Sequence, residues 1–222
     1  RGDAAVPGVG RVRLSPANGY ILTRTLWVVV TQTATFAGGC FWCVEAALTE
    51  LDGVRSATSG YCGGHVEDPG YKEVCRGTTG HAEAVQVEYD PDRISYADLL
   101  EVFFAIHTPT TKDREGPDVG SQYRSAIYYD DDRQRDLAAN YIEALEQDGG
   151  YDDPIVTELE PLERFWEAEE YHQDYFEKVS TADGNTDDAY CQFNVVPKIE
   201  KVREKFADKV KAEPEAGVEP DA

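Results

Sequence analysis

Apolar positions in the middle of the chain follow two periods, and their alternation outlines the elements. Thr31 to Phe36 is β-prone and stops at Gly38-Gly39. Val44, Leu48 and Leu51 then recur at helical spacing. Val54 to Gly60 reads as a second strand, and Glu83 to Tyr89 alternates with Val85, Val87 and Tyr89 on one side. Ser95-Tyr96-Ala97-Asp98 has the form of a capping box opening a helix that carries Leu99, Phe103 and Ile106, with Pro109 just beyond. Ser125 to Asp130 predicts a strand, and Leu137, Tyr141 and Leu145 mark a helix stopped by Gly149-Gly150. Ile155 to Glu160 predicts another strand. Residues 61–82, rich in glycine and polar side chains, read as a long ordered loop of the kind that carries function. The order β-α-β, β-α-β, α-β predicts an α+β fold. It would be one two-layer domain, a mixed sheet with helices packed on it, with long ordered loops and an extended C-terminal segment.

The ends differ from this core. Residues 1–30 hold Arg1, Arg11, Arg13 and Arg24 against Asp3, a net of +3, and residues 31–222 hold the other 17 basic and 42 acidic side chains, a net of -25. The shift predicts an N-terminal extension over 1–30, a folded domain over 31–206 and an acidic tail over 207–222. With 222 residues and 41% hydrophobic content the chain can bury a substantial core. No stretch reaches the length of a membrane span. A net charge of -22 argues against nucleic acid and anionic membranes as partners. Such self-repulsion is best tolerated in concentrated salt, so a salt-adapted cytoplasmic protein is expected. Stability that rises from low to multimolar salt would be its signature.

Five cysteines, an odd number in a well-cored chain, fit a reducing compartment with a working thiol better than a disulfide framework. Gly39-Cys40-Phe41-Trp42-Cys43 places Cys40 between a glycine turn and a helix. Free backbone N–H groups and the macrodipole favour an anion there. The expectation is a thiol lowered from about 8.5 toward roughly 3.5–7.5, and hence a nucleophile. Three other readings compete. A zinc site lacks a second paired motif, since Cys62, Cys75 and Cys191 stand alone and no histidine pair has ligand spacing. A thioredoxin-like redox motif fits poorly with Phe41-Trp42 between its cysteines, and a lone buried cysteine is the blandest reading. Two large aromatics beside the thiol look like the wall of an apolar pocket.

Glu83 shares the apolar side of its strand with Val85, Val87 and Tyr89. It is either a solvated rim carboxylate or a partly buried acid. Burial would raise its pKa and let it donate a proton at neutral pH.

Five ordered blocks then carry a resemblance. They are Gly39-Cys40-Phe41-Trp42-Cys43, Gly60-Tyr61-Cys62-Gly63-Gly64, Tyr71-Lys72-Glu73-Val74-Cys75, Gly80-His81-Ala82-Glu83-Ala84-Val85 and Gly120-Ser121-Gln122-Tyr123-Arg124-Ser125-Ala126-Ile127-Tyr128. Between about Thr31 and Phe206 the chain resembles the peptide-methionine (S)-S-oxide reductases of the MsrA family, which restore one sulfoxide epimer of methionine. The resemblance implies that Cys40 attacks the sulfoxide sulfur and that Glu83 protonates its oxygen. It implies that Tyr71 and Tyr123 hydrogen-bond that oxygen, that Phe41 and Trp42 hold the S-methyl group, and that Asp118 lies beside the same site. The sulfenic acid left on Cys40 would condense with a second thiol. Cys43 and Cys191 both match resolving positions, the latter in a segment judged mobile enough to swing inward, while Cys62 and Cys75 read as structural. No bound cofactor or metal is implied; the reductant would be thioredoxin or a similar dithiol, and the protein a monomer. A metal- or redox-sensing module and a general thiol–disulfide oxidoreductase are the alternatives from other classes.

Overall fold

A computed structural model describes residues 31–181 and 184–212. The extension over 1–30 and the tail from residue 213 lie outside the described residues. The first strand, β1 (Gln32–Gly38), feeds α1 (Phe41–Thr49) through a glycine turn. Gly39 has φ +90°, and a Cβ there would stand 2.5 Å from the Glu115 side chain, so only glycine allows this exit. The elements β2 (Val54–Cys62), α2 (Tyr71–Cys75), β3 (Ala82–Tyr89) and α3 (Tyr96–Ile106) follow. Next come β4 (Arg114–Glu115), β5 (Asp118–Val119), β6 (Ser125–Tyr129) and α4 (Asp132–Asp148). The C-terminal part carries β7 (Glu158–Pro161), β8 (Phe165–Glu167), α5 (Tyr175–Val179) and α6 (Val196–Lys205).

Six strands form one sheet in the order β7-β6-β1-β3-β2-β8, with β6 and β7 parallel and the other pairs antiparallel. The α+β reading therefore holds, with β1 and β3 central. Phe36, Tyr61, Val85, Val87, Tyr89 and Ile127 contribute to the main core together with α1 and α3. The other sheet face is thin, built from Ala37, Cys62, Ala82, Ala84, Ala126 and Tyr128. That division follows from alternation along each strand. α3 starts on the expected box, with Asp98 N donating to Ser95 Oγ at 3.2 Å and Ser95 N donating to Asp98 Oδ2 at 3.0 Å. α4 starts on Asp131, whose Oδ1 accepts from Gln134 N at 2.8 Å, and ends at Gly149 in the left-handed region.

Three expectations need correction. The segment over 61–82 is not all loop, because α2 sits inside it, its first N–H anchored by Glu169. The strand expected over 155–160 begins at Glu158: Val156 N donates to Pro109 O instead of to a strand neighbour. The chain also stays folded past Phe206. Asp52 N donates to Lys209 O at 2.7 Å, Leu51 bridges Val210, and Lys211 N donates to Glu50 O at 2.8 Å, tying residues 209–211 to the end of α1. Among the described residues, no helix is long and apolar enough to cross a membrane.

Candidate active site

Cys40 is the N-cap residue of α1, with extended backbone angles, and its carbonyl accepts from Cys43 N at 3.1 Å. The helix N-terminus does have a free donor, but the thiol does not take it. Phe41 N donates to Glu83 Oε2 at 3.1 Å. Glu83 reaches that point because its place on β3, opposite Tyr61 of β2, turns its side chain to the helix side of the sheet. It is 1% exposed, so the solvated-rim reading is excluded. Burial pushes its carboxyl up to about 8, with the negative charge of Asp118 adding to the rise and the Phe41 N–H opposing it. Glu83 is therefore protonated at neutral pH.

The expected lowering of Cys40 does not occur. Its thiol is 7% exposed, and burial pushes it well above the usual thiol range, reinforced by hydrogen bonding with Cys43 and by the charge of Glu83. Cys43, one turn along, moves the other way. The hydrogen bond with Cys40 lowers it first, with help from Lys198 and Tyr190, against its burial. The helix N-terminus does not lower Cys40, because Glu83 takes the Phe41 N–H and the thiol is buried.

Tyr71 begins α2, where its N–H donates to Glu169 Oε1 at 2.9 Å while Tyr61 donates its hydroxyl to Glu169 Oε2 at 2.9 Å. Its phenol is pushed up by burial, by a hydrogen bond with Cys75 and by the nearby charge of Glu83; Tyr123 is also a neighbour. Tyr123 closes a 3-10 turn, Ser121–Tyr123. It is raised by burial and feels Glu83, Cys75, Asp118 and Cys40. Gln122 joins the two phenol-bearing segments, its Nε2 donating to Cys75 O at 3.2 Å. Glu83, the two phenols, Asp118 and Cys40 thus share one locality. Phe41, 1% exposed, forms the inner wall, and Trp42 is half-buried. Cys191 lies inside the protein. It is fully buried at the start of a π-helical turn, its N–H held by Asp188 Oδ1 at 2.9 Å, and close enough to Cys43 to feel its charge.

Several site residues were missed. Trp42 stacks on Tyr175 at 3.9 Å between centroids and 12° between planes, and Tyr190 meets it edge-on at 5.9 Å. His172, 2% exposed, packs against Phe41, Trp42 and Tyr71. The density of aromatic and acidic residues over 169–175 was a signal that periodicity analysis passes over. A cavity of about 950 Å³ opens elsewhere, beside Glu45, Glu50, Asp174 and Phe176, and involves none of the groups around Cys40. Among the described residues no cluster of three or more metal-binding side chains occurs.

Residues 32–210 match the family model described as peptide methionine sulfoxide reductase. A peptide methionine sulfoxide reductase MsrA of Natronomonas pharaonis is 64% identical over 181 residues, covering 82% of this chain and 98% of the relative. The MsrA of Chromobacterium violaceum is 48% identical, covering 79% and 97%. Among solved structures, Mxr1 from Saccharomyces cerevisiae in reduced form aligns with a TM-score of 0.63 at 36% identity, covering 67% of this chain and 85% of that one. Methionine sulfoxide reductase A of Corynebacterium diphtheriae aligns at 0.60 and 34%, covering 68% and 80%. The chain belongs to the peptide methionine sulfoxide reductase family, as an MsrA.

Proposed function

We propose that this enzyme reduces the S-epimer of methionine sulfoxide, free or within proteins, with Cys40 as nucleophile and Glu83 as general acid. The observation that carries the reading is the carboxyl of Glu83, buried and held beside Cys40 by the Phe41 N–H, where burial raises it to about 8. Sulfoxide oxygen is a strong acceptor and hydroxide a poor leaving group, so reduction needs a proton donor aimed at the oxygen. Glu83 supplies that proton, and the phenols of Tyr71 and Tyr123 donate to the same oxygen as charge builds on it. The electron pair of Cys40 forms a bond to the sulfoxide sulfur, and the Cys40 thiol proton replaces the one Glu83 has given. Glu83 protonates the oxygen a second time, and it leaves the sulfur as water with the sulfur–oxygen electron pair. That water bonds to the Cys40 sulfur and returns its proton to Glu83 as the sulfur–sulfur bond breaks with its pair left on the thioether. Cys40 departs as a sulfenic acid, oxidised by two electrons, and methionine is released.

Resolution proceeds by condensation with a thiol and loss of water. Cys43 is adjacent to Cys40 and the more acidic of the pair, and Cys191 is buried next to Cys43. This order supports a relay, Cys40 to Cys43 and then Cys43 to Cys191, ending in a disulfide that thioredoxin or a similar dithiol reduces. Assay on the resolved epimers with thiol mapping after one turnover tests the whole reading. The S-epimer should be consumed and the R-epimer spared, with Cys40→Ser inactive and Cys43→Ser and Cys191→Ser each retaining one turnover. Sustained turnover by Cys40→Ser would overturn it.

A further inference from the structure

A phenol that donates to a developing charge works only where it is held in place. Tyr71 is the first residue of α2, a helix of five residues, too short to stand without outside contacts. Its hold comes from Glu169, half-buried just before the turn Glu170–His172. Glu169 Oε1 accepts from Tyr71 N at 2.9 Å, and Oε2 accepts from the Tyr61 hydroxyl at 2.9 Å. The same turn supplies His172, whose N–H donates to Glu169 O at 2.8 Å and whose ring lies 4.3 Å from that of Tyr71. The Tyr71 ring also stacks on Phe41, with 6.4 Å between centroids and 19° between planes.

Tyr61 makes this more than a local cap. It is fully buried on β2, directly opposite Glu83 of β3 in the sheet register. One carboxylate therefore joins the backbone of Tyr71 to the strand neighbour of Glu83. Burial opposes its charge, but hydrogen bonds led by the Tyr71 N–H outweigh burial and hold the Glu169 carboxyl below its usual range. We propose that Glu169 is a positioning residue for the reductive step, a two-oxygen tie that fixes the Tyr71 phenol relative to the Glu83 carboxyl. The inference rests on the reading of Tyr71 as a donor to the sulfoxide oxygen. Glu169 itself moves no proton and acts through Tyr71.

Glu169→Ala removes both acceptors. In single-turnover reduction of the S-epimer of methionine sulfoxide, the maximal rate should fall about 10- to 100-fold, since a misplacement of about 1 Å can cost that much. The half-saturating concentration should change little, because the Tyr71 bond gains its strength as charge builds on the oxygen. Glu169→Gln should return most of the rate. Its carboxamide oxygen still accepts from the Tyr71 N–H, and its NH2 group can donate to the Tyr61 oxygen. In a Tyr71→Phe background, Glu169→Ala should cost nothing further, because the phenol it places is gone.

An unchanged maximal rate in Glu169→Ala, a Glu169→Gln rate equally low, or losses that multiply in the double variant would each overturn the tie. Tyr71→Phe at the wild-type rate would instead overturn the reading of Tyr71 as a donor, and sustained turnover by Cys40→Ser the mechanism as a whole. Should Glu169→Ala not fold, Tyr61→Phe keeps the ring beside Phe41 and removes one anchor. Its maximal rate should fall, and a Tyr71→Phe background should erase the difference. A wild-type rate, or losses that multiply there too, would overturn the proposal.

Discussion

Two buried glutamates, Glu45 on α1 itself and Glu83 on β3 beside the first N–H of that helix, face different company. Glu83 is 1% exposed and Glu45 is 2% exposed, and burial is the leading cause that raises each, to about 8 and about 7. Glu45 is surrounded by protein donors. The Ser59 hydroxyl donates to its Oε1 at 3.1 Å, and the N–H groups of Asp174 and Tyr175 reach it where α5 begins. Glu83 has one backbone donor, Phe41 N–H, and otherwise faces a thiol pair and the neighbourhood of two phenols. A raised carboxyl is thus a poor mark of a catalytic acid by itself. What separates these two is whether the remaining hydrogen-bonding capacity is filled by the fold or left for a reacting atom.

The comparison breaks most visibly in kinetics. Glu83→Gln should slow the reductive step in single turnover by roughly 10²–10⁴-fold, whereas Glu45→Gln should leave it near the wild-type rate. Equal losses would show that both carboxyls act only through packing. In stability the order reverses. Glu45→Ala strands the Ser59 hydroxyl and two backbone N–H groups, and urea unfolding should show a loss of about 1–3 kcal/mol. A loss of that size at Glu83 and none at Glu45 would invert the assignment.

The smallest expected effect is in the pH dependence of stability. Both carboxyls have folded pKa values above the ordinary 4.5, so the native state binds more protons than the unfolded chain between 4.5 and about 7 for Glu45, and between 4.5 and about 8 for Glu83. Stability contributed by their protonated forms is complete below that window and is lost as pH rises through it. Denaturant midpoints measured from pH 4.5 to 8 should therefore fall with a shallower slope in Glu45→Gln up to about 7, and in Glu83→Gln up to about 8. Slopes identical to wild type in both variants would mean that neither group is protonated in the native state.

The same contrast separates what was legible in the sequence from what was not. Each central element carries its own local signal: the alternation of Val85, Val87 and Tyr89, the box at Ser95 and Asp98, the stop at Gly149. The place of Glu83 on the buried face followed from that parity. The described residues over 162–181 and 184–212 are held by contacts distant in sequence. Gln173 acts like a strand partner, accepting from Ser59 N at 2.8 Å and donating to Ser59 O at 2.9 Å, and Glu169 anchors Tyr61 and Tyr71. No local period encodes such pairings, which is why Tyr175 and Tyr190 beside Trp42 went unseen. α6 was legible in principle, since Ile199, Val202 and Phe206 are buried at helical spacing behind Pro197. The protonation state of Cys40 was not, because it depends on the competitor for the Phe41 N–H and on burial, neither of which spacing reveals.

The central claim is that Cys40 takes the oxygen and Glu83 supplies the proton. It is tested most directly in the Cys43→Ser/Cys191→Ser double variant, where the sulfenic acid has no resolving partner among those two positions. Mixed with one equivalent of the S-epimer and analysed by intact and peptide mass spectrometry, the account predicts methionine release matched by one added oxygen on Cys40. The same variant carrying Glu83→Gln should show neither over the same interval. Methionine released while Cys40 remains an unmodified thiol would contradict the account.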